Sequence, residues 1–390
     1  MKYASIATRL AGLGSEKWAV HIEGRQRALK GEKLIFLSIG EPDLPPPKAI
    51  IDVAERQMRA GRTRYSAGRG EHGVRDALAR HYTRQMGRDI GADQFLFLPG
   101  TQAALALAFS AIIEPSDEVL LMDPYYATYE AVVTAPGGVP VPVPLDPDTG
   151  FHPHIEALEK AITSKTKAIL LNSPSNPTGA VFTRAENLAI GALAKKHDLW
   201  IVSDEVYATM IHGNHVFHSP FAEKDLEERT IVVSSISKSH ALPGFRCGWI
   251  AASPAFCDHA LPVIETMLFG SQPFLEDATA FALDTHFDET DAMKNAYLAR
   301  ARGLMAGLKG AKGITTHLPE GGMFLMLDIR KTGLSGEAFA WRLLREEGVV
   351  TMPGESFGAK GAGHLRVALT VDETEMAEAA RRIKALAARL

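Results

Sequence analysis

The chain has 390 residues, 46% hydrophobic and 23% charged, which suits a globular protein of two or so domains around a large core. Its 42 basic and 46 acidic residues give a formal net charge of −4 with no long run of one sign, which argues against nucleic acid or a membrane surface as a partner. Cys247 and Cys257 lack metal-ligand spacing and give no disulfide framework, and no window approaches the ~18 apolar residues of a membrane span, so a cytoplasmic location is expected.

Residues 1–31 read as an arm plus a helix over 17–29, followed by the apolar run 34–39 and Gly40-Glu41-Pro42-Asp43-Leu44-Pro45-Pro46-Pro47. The proline cluster can be neither helix nor central strand, so it predicts a stiff, extended connector. A helix over 48–58 leads to Tyr65 and to residues 68–73, which spell G-x-G-x-x-G. A dinucleotide-binding turn needs an apolar strand immediately before it, and the preceding 59–64 are strongly basic. The glycines are therefore expected to shape a loop that presents Tyr65 ahead of a helix over 74–86. A strand over 95–98 meets Pro99-Gly100-Thr101-Gln102 and an apolar helix over 103–113. Such a helix N-terminus makes an anion site, or else Thr101 simply caps a buried helix.

Further alternation follows: strands over 118–122, 139–143, 167–171 and 199–203, helices over 155–162 and 184–197, and the turn Asn172-Ser173-Pro174-Ser175-Asn176-Pro177-Thr178-Gly179. This pattern predicts an α/β fold with a mostly parallel sheet sandwiched by helices. Beyond 249–253 the chain turns mainly helical, over 255–268, 273–284 and 291–308. It closes with strands at 323–327, 349–352 and 364–369 and helices at 335–347 and 373–390, a smaller α+β domain. The expected division is 1–45 as an arm and part of the small domain, 46–288 as the large domain and 289–390 as the rest of the small one. His152, His154, His212, His215 and His218 lack a carboxylate or cysteine framework, so no metal site is expected.

The chemistry centres on Ser235-Ile236-Ser237-Lys238, between two strands. A lysine at the end of a buried sheet can lose charge by desolvation and become a nucleophile, and Arg246, eight residues on, supplies a fixed cation. An aromatic aldehyde phosphate would need such a lysine, a buried carboxylate for its ring nitrogen, a donor to its phenolic oxygen and a phosphate cradle. Each has a candidate at a predicted strand end. Taken singly, Asp204 could be a strand-end cap, Tyr126 and Tyr207 core aromatics, Asn176 a turn former and Arg366 half of a surface ion pair.

Taken together and in order, these segments resemble the class I/II aminotransferases, pyridoxal-phosphate enzymes of fold type I, from Gly40 to Arg366. The resemblance implies that Lys238 is the Schiff-base lysine and the acid/base group. Asp204, in Ser203-Asp204-Glu205-Val206-Tyr207, would pair with the pyridinium nitrogen. Tyr207 and Asn176 would donate to the phenolic oxygen, and Tyr126 would stack on the ring. Gly100, Thr101, Gln102, Ser235, Ser237 and Arg246 would hold the phosphate of pyridoxal 5′-phosphate, and Tyr65 would reach that of a neighbouring subunit in a homodimer. Arg366, in His364-Leu365-Arg366-Val367, would grip the substrate carboxylate near the Gly40 backbone.

The implied reaction is ping-pong transfer of an amino group from an L-amino acid to a 2-oxo acid such as pyruvate or 2-oxoglutarate. Within the family, 237–249, 322–344 and 354–369 are most similar to arginine:pyruvate transaminases, which implies a basic donor. An aspartate or aromatic amino-acid aminotransferase is the nearest alternative, and a C–S β-lyase a further one. Regulators built on this fold carry a DNA-binding domain, and about 30 residues before the 34–39 run are too few for a winged helix. Met323, where many relatives carry an aromatic, and Gly244, where a threonine is common, depart from the pattern and are expected to affect packing near the site.

Overall fold

Seven strands form the central sheet, in the spatial order Phe95–Leu98, Gly248–Ala251, Thr230–Ser235, Trp200–Asp204, Thr166–Asn172, Glu118–Asp123, Val139–Pro144. All run the same way except Gly248–Ala251, which is antiparallel to both neighbours. The computed structural model describes residues 1–11, 13–14 and 16–390.

Phe95–Leu98 and Thr230–Ser235 are buried along their whole length because helices cover both faces; the first is apolar throughout, and the second carries Ile231, Val232 and Val233 before ending in Ser234 and Ser235. Alternate side chains go to opposite layers. Leu96, Leu98, Val202 and Val233 meet residues of Thr101–Ile112 and Pro254–Met267 on one face. Phe95, Phe97, Val232 and Ala251 meet residues of Lys48–Arg59, His72–Met86 and Pro273–Asp284 on the other.

A second sheet, ordered Met352–Pro353, His364–Ala368, Phe324–Asp328, Thr315–Thr316, is antiparallel throughout. Its core is shared with residues of Asp288–Gly307 and Glu373–Ala388. Of the apolar run 34–39 only Ile35–Phe36 forms a strand, paired in parallel with Val349–Val350. Past Phe36 the backbone changes partners, as Leu37 N bonds to Val350 O while Leu37 O accepts from Ala368 N. The helix expected over 335–347 is an α-helix, Gly336–Arg342, continued by a π-helical turn, Leu343–Glu347, which ends on Gly348 at φ 66°.

The parallel strands place Asp123, Asn172, Asp204 and Ser235 along one edge of the sheet. From Glu118–Asp123 the chain moves outward to the edge strand Val139–Pro144, then back across to Thr166–Asn172. Strand order therefore reverses between 118–123 and 166–172, and the crevice beyond the strand ends at such a point is where open α/β sheets take ligands.

Candidate active site

The crevice holds a cavity of about 400 Å³. It is lined by Gly40, Thr101, Gln102, Tyr126, Asn176, Asp204, Tyr207, Ser235, Ser237, Lys238, Arg246 and Arg366, residues that span more than three hundred positions of sequence. Gly100 is not part of the lining and lies against the Arg246 guanidinium. Tyr65 does not face this cavity; it is 83% exposed and packs edge to face on Phe269, with ring centroids 5.2 Å apart.

Lys238 sits on the short helix Ile236–Ser239, whose cap is Ser235 at the end of its strand. Its Nζ donates to Gly40 O at 2.7 Å. Burial brings the amine down to about 8; Arg366 and Arg246 add to the effect, and Glu41 and Asp204 oppose it. An appreciable fraction is therefore neutral near physiological pH and able to act as nucleophile or base.

Asp204 ends the neighbouring strand. Its Oδ2 accepts from Tyr129 Oη at 2.8 Å and its Oδ1 from Val206 N at 3.2 Å. Burial raises its carboxyl to about 6, while Tyr129, Val206 and Lys238 pull it down. Asn172, register partner of Asp204, donates through Nδ2 to Asp204 O at 3.0 Å and accepts from Asn176 N at 2.7 Å. The strand end thus orders the Asn176 turn. Tyr126 and Tyr207 are pushed above their ordinary range mainly by burial and keep their protons for donation.

Arg366 is the largest fully buried side chain. It donates through Nη1 to Asn176 Oδ1 at 2.9 Å and through Nη2 to Ser38 O. Its guanidinium carbon lies 4.3 Å from the ring centre of Phe324 and 4.5 Å from that of Phe357. Burial lowers it to about 10, against the pull of Tyr207 and Tyr126, so it stays charged at neutral pH. Its Nε is buried without a partner. A buried cation facing a cavity with a donor to spare suits a carboxylate ligand.

At the other end, Gly100 takes φ 93° so that the chain can turn into Thr101–Ile112. A Cβ on Gly100 would lie 2.3 Å from Arg246 Nη2, and one on Gly248 would lie 2.7 Å from Gly100 Cα. Arg246 is anchored through Nη1 to Pro243 O at 2.9 Å and Nη2 to Pro99 O at 3.1 Å. Thr101 Oγ1 is buried without a partner. A helix N-terminus, a fixed guanidinium, an orphaned hydroxyl and Ser235 and Ser237 converge here, a donor set whose chemistry suits a phosphate. Lysine, buried carboxylate and anion cradle thus fit pyridoxal 5′-phosphate from end to end.

Sequence reasoning missed several lining residues. Tyr129 stands one helical turn past Tyr126, so the spacing could have suggested it, and Asn172 opens the turn that contains Asn176. Trp18, Glu41 and Phe324 carry no local signal. Met323 lies wholly in the core, and Phe324 takes the cavity face. A side chain at Gly244 would point into open space. Among the histidines noted in the sequence, His152 pairs with Glu186 and Glu320, His212 with Gly322 O and His218 with Glu223.

Residues 32–383 match the family model described as aminotransferase class I and II. An arginine–pyruvate transaminase of Pseudomonas aeruginosa is 40% identical over 391 residues, covering 100% of this chain and 99% of that protein. An aspartate aminotransferase of Bacillus subtilis is 31% identical over 97% of this chain and 98% of its own length. Among solved structures, the aspartate aminotransferase of Thermus thermophilus with maleate superposes with a TM-score of 0.92 at 29% identity, covering 99% and 100% of the two chains. The aromatic aminotransferase of Pyrococcus horikoshii gives 0.89 at 30% identity, over 94% and 99%. The chain belongs to the class I and II aminotransferases and is a pyridoxal-phosphate-dependent enzyme of fold type I that acts on amino acids and 2-oxo acids.

Proposed function

We propose that this aminotransferase takes the amino group of a basic L-amino acid, arginine foremost, and passes it to pyruvate or 2-oxoglutarate. The observation that carries the reading is the 40% identity, over the whole chain, to the arginine–pyruvate transaminase of Pseudomonas aeruginosa, against 31% to the aspartate enzyme of Bacillus subtilis. The charges of the cavity agree. Its cations are Lys238, Arg246 and Arg366, each with a task in the reading below, so a substrate with a second carboxylate finds no spare cation within one chain, which favours a monocarboxylate donor and pyruvate over 2-oxoglutarate as acceptor.

In this reading Thr101, Ser235, Ser237 and Arg246 hold the phosphate, and Asp204 faces the ring nitrogen with Tyr129 holding its carboxylate in place. Bound pyridoxal phosphate supplies an aldehyde and a ring that draws electrons from the donor's Cα. Arg366 orients the donor by its carboxylate, and Lys238 Nζ takes a proton from that Cα. Trp18, Ile39, Leu105 and Phe324 cover the remaining wall and keep water out.

The same reading treats 46–288 as the large domain and 1–45 with 289–390 as the small one, and places the enzyme in the cytoplasm as a homodimer. Tyr65 and Phe269 support the dimer. They are 83% and 70% exposed, side by side, and Phe269 holds φ 50°, a backbone that aromatic residues seldom adopt. An exposed aromatic pair of this kind fits a face covered by a second copy.

The purified protein should be yellow, bleach with arginine alone and recover with pyruvate. Lys238→Ala should not complete the cycle; if it does, the site assignment fails. A donor screen in which arginine is no better than aspartate would overturn the substrate.

A further inference from the structure

Residues 37–43 form a strap between the second sheet and Lys238. Four consecutive carbonyls are engaged. Leu37 O accepts from Ala368 N at 2.8 Å, Ser38 O from Arg366 Nη2, Ile39 O from Thr370 Oγ1 at 3.0 Å and Gly40 O from Lys238 Nζ at 2.7 Å. The first three are held by residues 366–370, and the fourth holds the lysine. Gly40 also lies flat on Phe324, where a Cβ would come within 2.2 Å of Cζ.

Beyond Ile39 the strap is tied down from the other side by Asp43. Arg300, on helix Asp288–Gly307, meets both carboxylate oxygens of Asp43 at 2.9 Å, and its Nη1 also donates to Leu369 O at 2.9 Å. The Arg300 side chain is 5% exposed, and its guanidinium lies 5.6 Å from the ring centre of Tyr297. The fork joins a buried arginine to a carboxylate that still reaches solvent, so it adds little net stability, but it fixes geometry. Arg300 thus joins the two ends of one device, the carboxylate that ends the strap and the backbone just past Arg366.

We propose that Asp43 and Arg300 are positioning residues, which hold the strap so that the Gly40 carbonyl meets the free amine of Lys238. The inference rests on Lys238 as the proton-moving group. The Gly40 carbonyl favours the ammonium form of the free amine and orients it, and the fork fixes where that carbonyl stands. Movement of helix Asp288–Gly307 is thereby passed to the reacting amine without any direct contact between Arg300 and the cavity.

The test compares Asp43→Asn, Arg300→Lys and Asp43→Glu with the wild-type holoenzyme. In the first two, kcat falls about tenfold with KM for the amino donor within about twofold, as expected when a reacting group is misplaced rather than a substrate contact removed. The acid limb of the kcat–pH profile moves down by about half a unit, because the ammonium form has lost its acceptor. Amide exchange in 37–43 quickens, and Asp43→Glu restores at least half of kcat. Faster exchange with unchanged kcat and unchanged limb would make the pair merely structural and overturn the proposal, as would unchanged exchange. If one of the two damaging variants fails to fold, thermal melting reveals it and the other carries the comparison by the same criteria. Lys238→Ala is run alongside. Activity surviving there removes the reading of the lysine, whereas wild-type behaviour of Asp43→Asn removes the strap alone.

Discussion

Tyr129 Oη donates to Asp204 Oδ2 at 2.8 Å, and both side chains are buried. The tyrosine comes from the helix Tyr129–Thr134, the carboxylate from the strand Trp200–Asp204. Without this donor, burial alone would push the carboxyl above about 6. Tyr129→Phe is therefore expected to leave Asp204 protonated at neutral pH. A hydrogen bond to a charged group is worth roughly 1.5–3 kcal/mol, so kcat/KM at pH 7 falls about 10- to 100-fold and its acid limb moves to higher pH. An unchanged pH profile would reduce Tyr129 to packing.

Arg366→Lys removes the planar fork that spans Asn176 Oδ1 and Ser38 O, and with it the stack between Phe324 and Phe357. Steady-state kinetics should show kcat/KM for the amino donor down by about 100-fold, carried mainly by KM. A fall confined to kcat would place Arg366 away from the donor's carboxylate.

Glu205, next to Asp204, accepts through Oε1 from Ser203 Oγ at 2.9 Å and Ser219 Oγ at 2.6 Å. Burial raises its carboxyl from 4.5 to about 7. Between those values the folded chain binds more protons than the unfolded one, so stability falls as pH rises through the window. Glu205→Gln keeps an acceptor without the charge. It should be more stable than wild type above pH 7, by an amount on the order of 2–3 kcal/mol, with the gap closing toward pH 4.5. Denaturant midpoints at the two pH values decide it; equal gaps would count against a charged Glu205.

His152 stands between Glu186, at 2.9 Å, and Glu320, at 3.2 Å, and these hold its imidazole up at about 10. A histidine raised in this way stabilises fully below its ordinary value of 6.5, and the contribution is lost as pH rises through about 10. His152→Gln should accordingly cost most at pH 6 and least near pH 10 in thermal melts. A cost independent of pH would mean that the ring acts by its shape.

Phe269→Asp places a charge on the exposed aromatic pair with Tyr65. Sedimentation should show the dimer dissociating at concentrations where wild type remains paired, with activity lost in parallel. A fully active monomer would contradict a shared site.

The groups that the sequence made legible are those whose chemistry is tied to a strand end. Asp204 ends a buried apolar run, Asn176 and Lys238 stand a few residues past the ends of two others, and Arg246 comes just before the antiparallel strand Gly248–Ala251, so the sheet brings all four to one edge. Trp18 was not legible, because its place depends on distant contacts: Lys17 Nζ to Glu130 Oε2 at 2.5 Å, and Ser356 Oγ to Lys17 O at 2.8 Å. Phe324 was hidden for a different reason, since only the register of its strand decides that Met323 enters the core and Phe324 the cavity. The apolar run 34–39 yields only a short strand because Leu37 O turns to Ala368 N and the Ser38 and Ile39 carbonyls serve the side chains of Arg366 and Thr370, which hydrophobic pattern alone does not show.

The paired glycines at 100 and 248 carry a consequence for redesign. Main chain, not side chain, forms the floor of the anion cradle, since a methyl group on either residue would collide with Arg246 or with the facing backbone. A side chain added at either glycine would displace Arg246 or the facing backbone, so that floor cannot be rebuilt from these two positions. The wall formed by Trp18 and Ile39 is built of side chains instead. A library aimed at new donors should therefore leave the cradle alone and vary that wall, so that one inherited grip serves many cargoes.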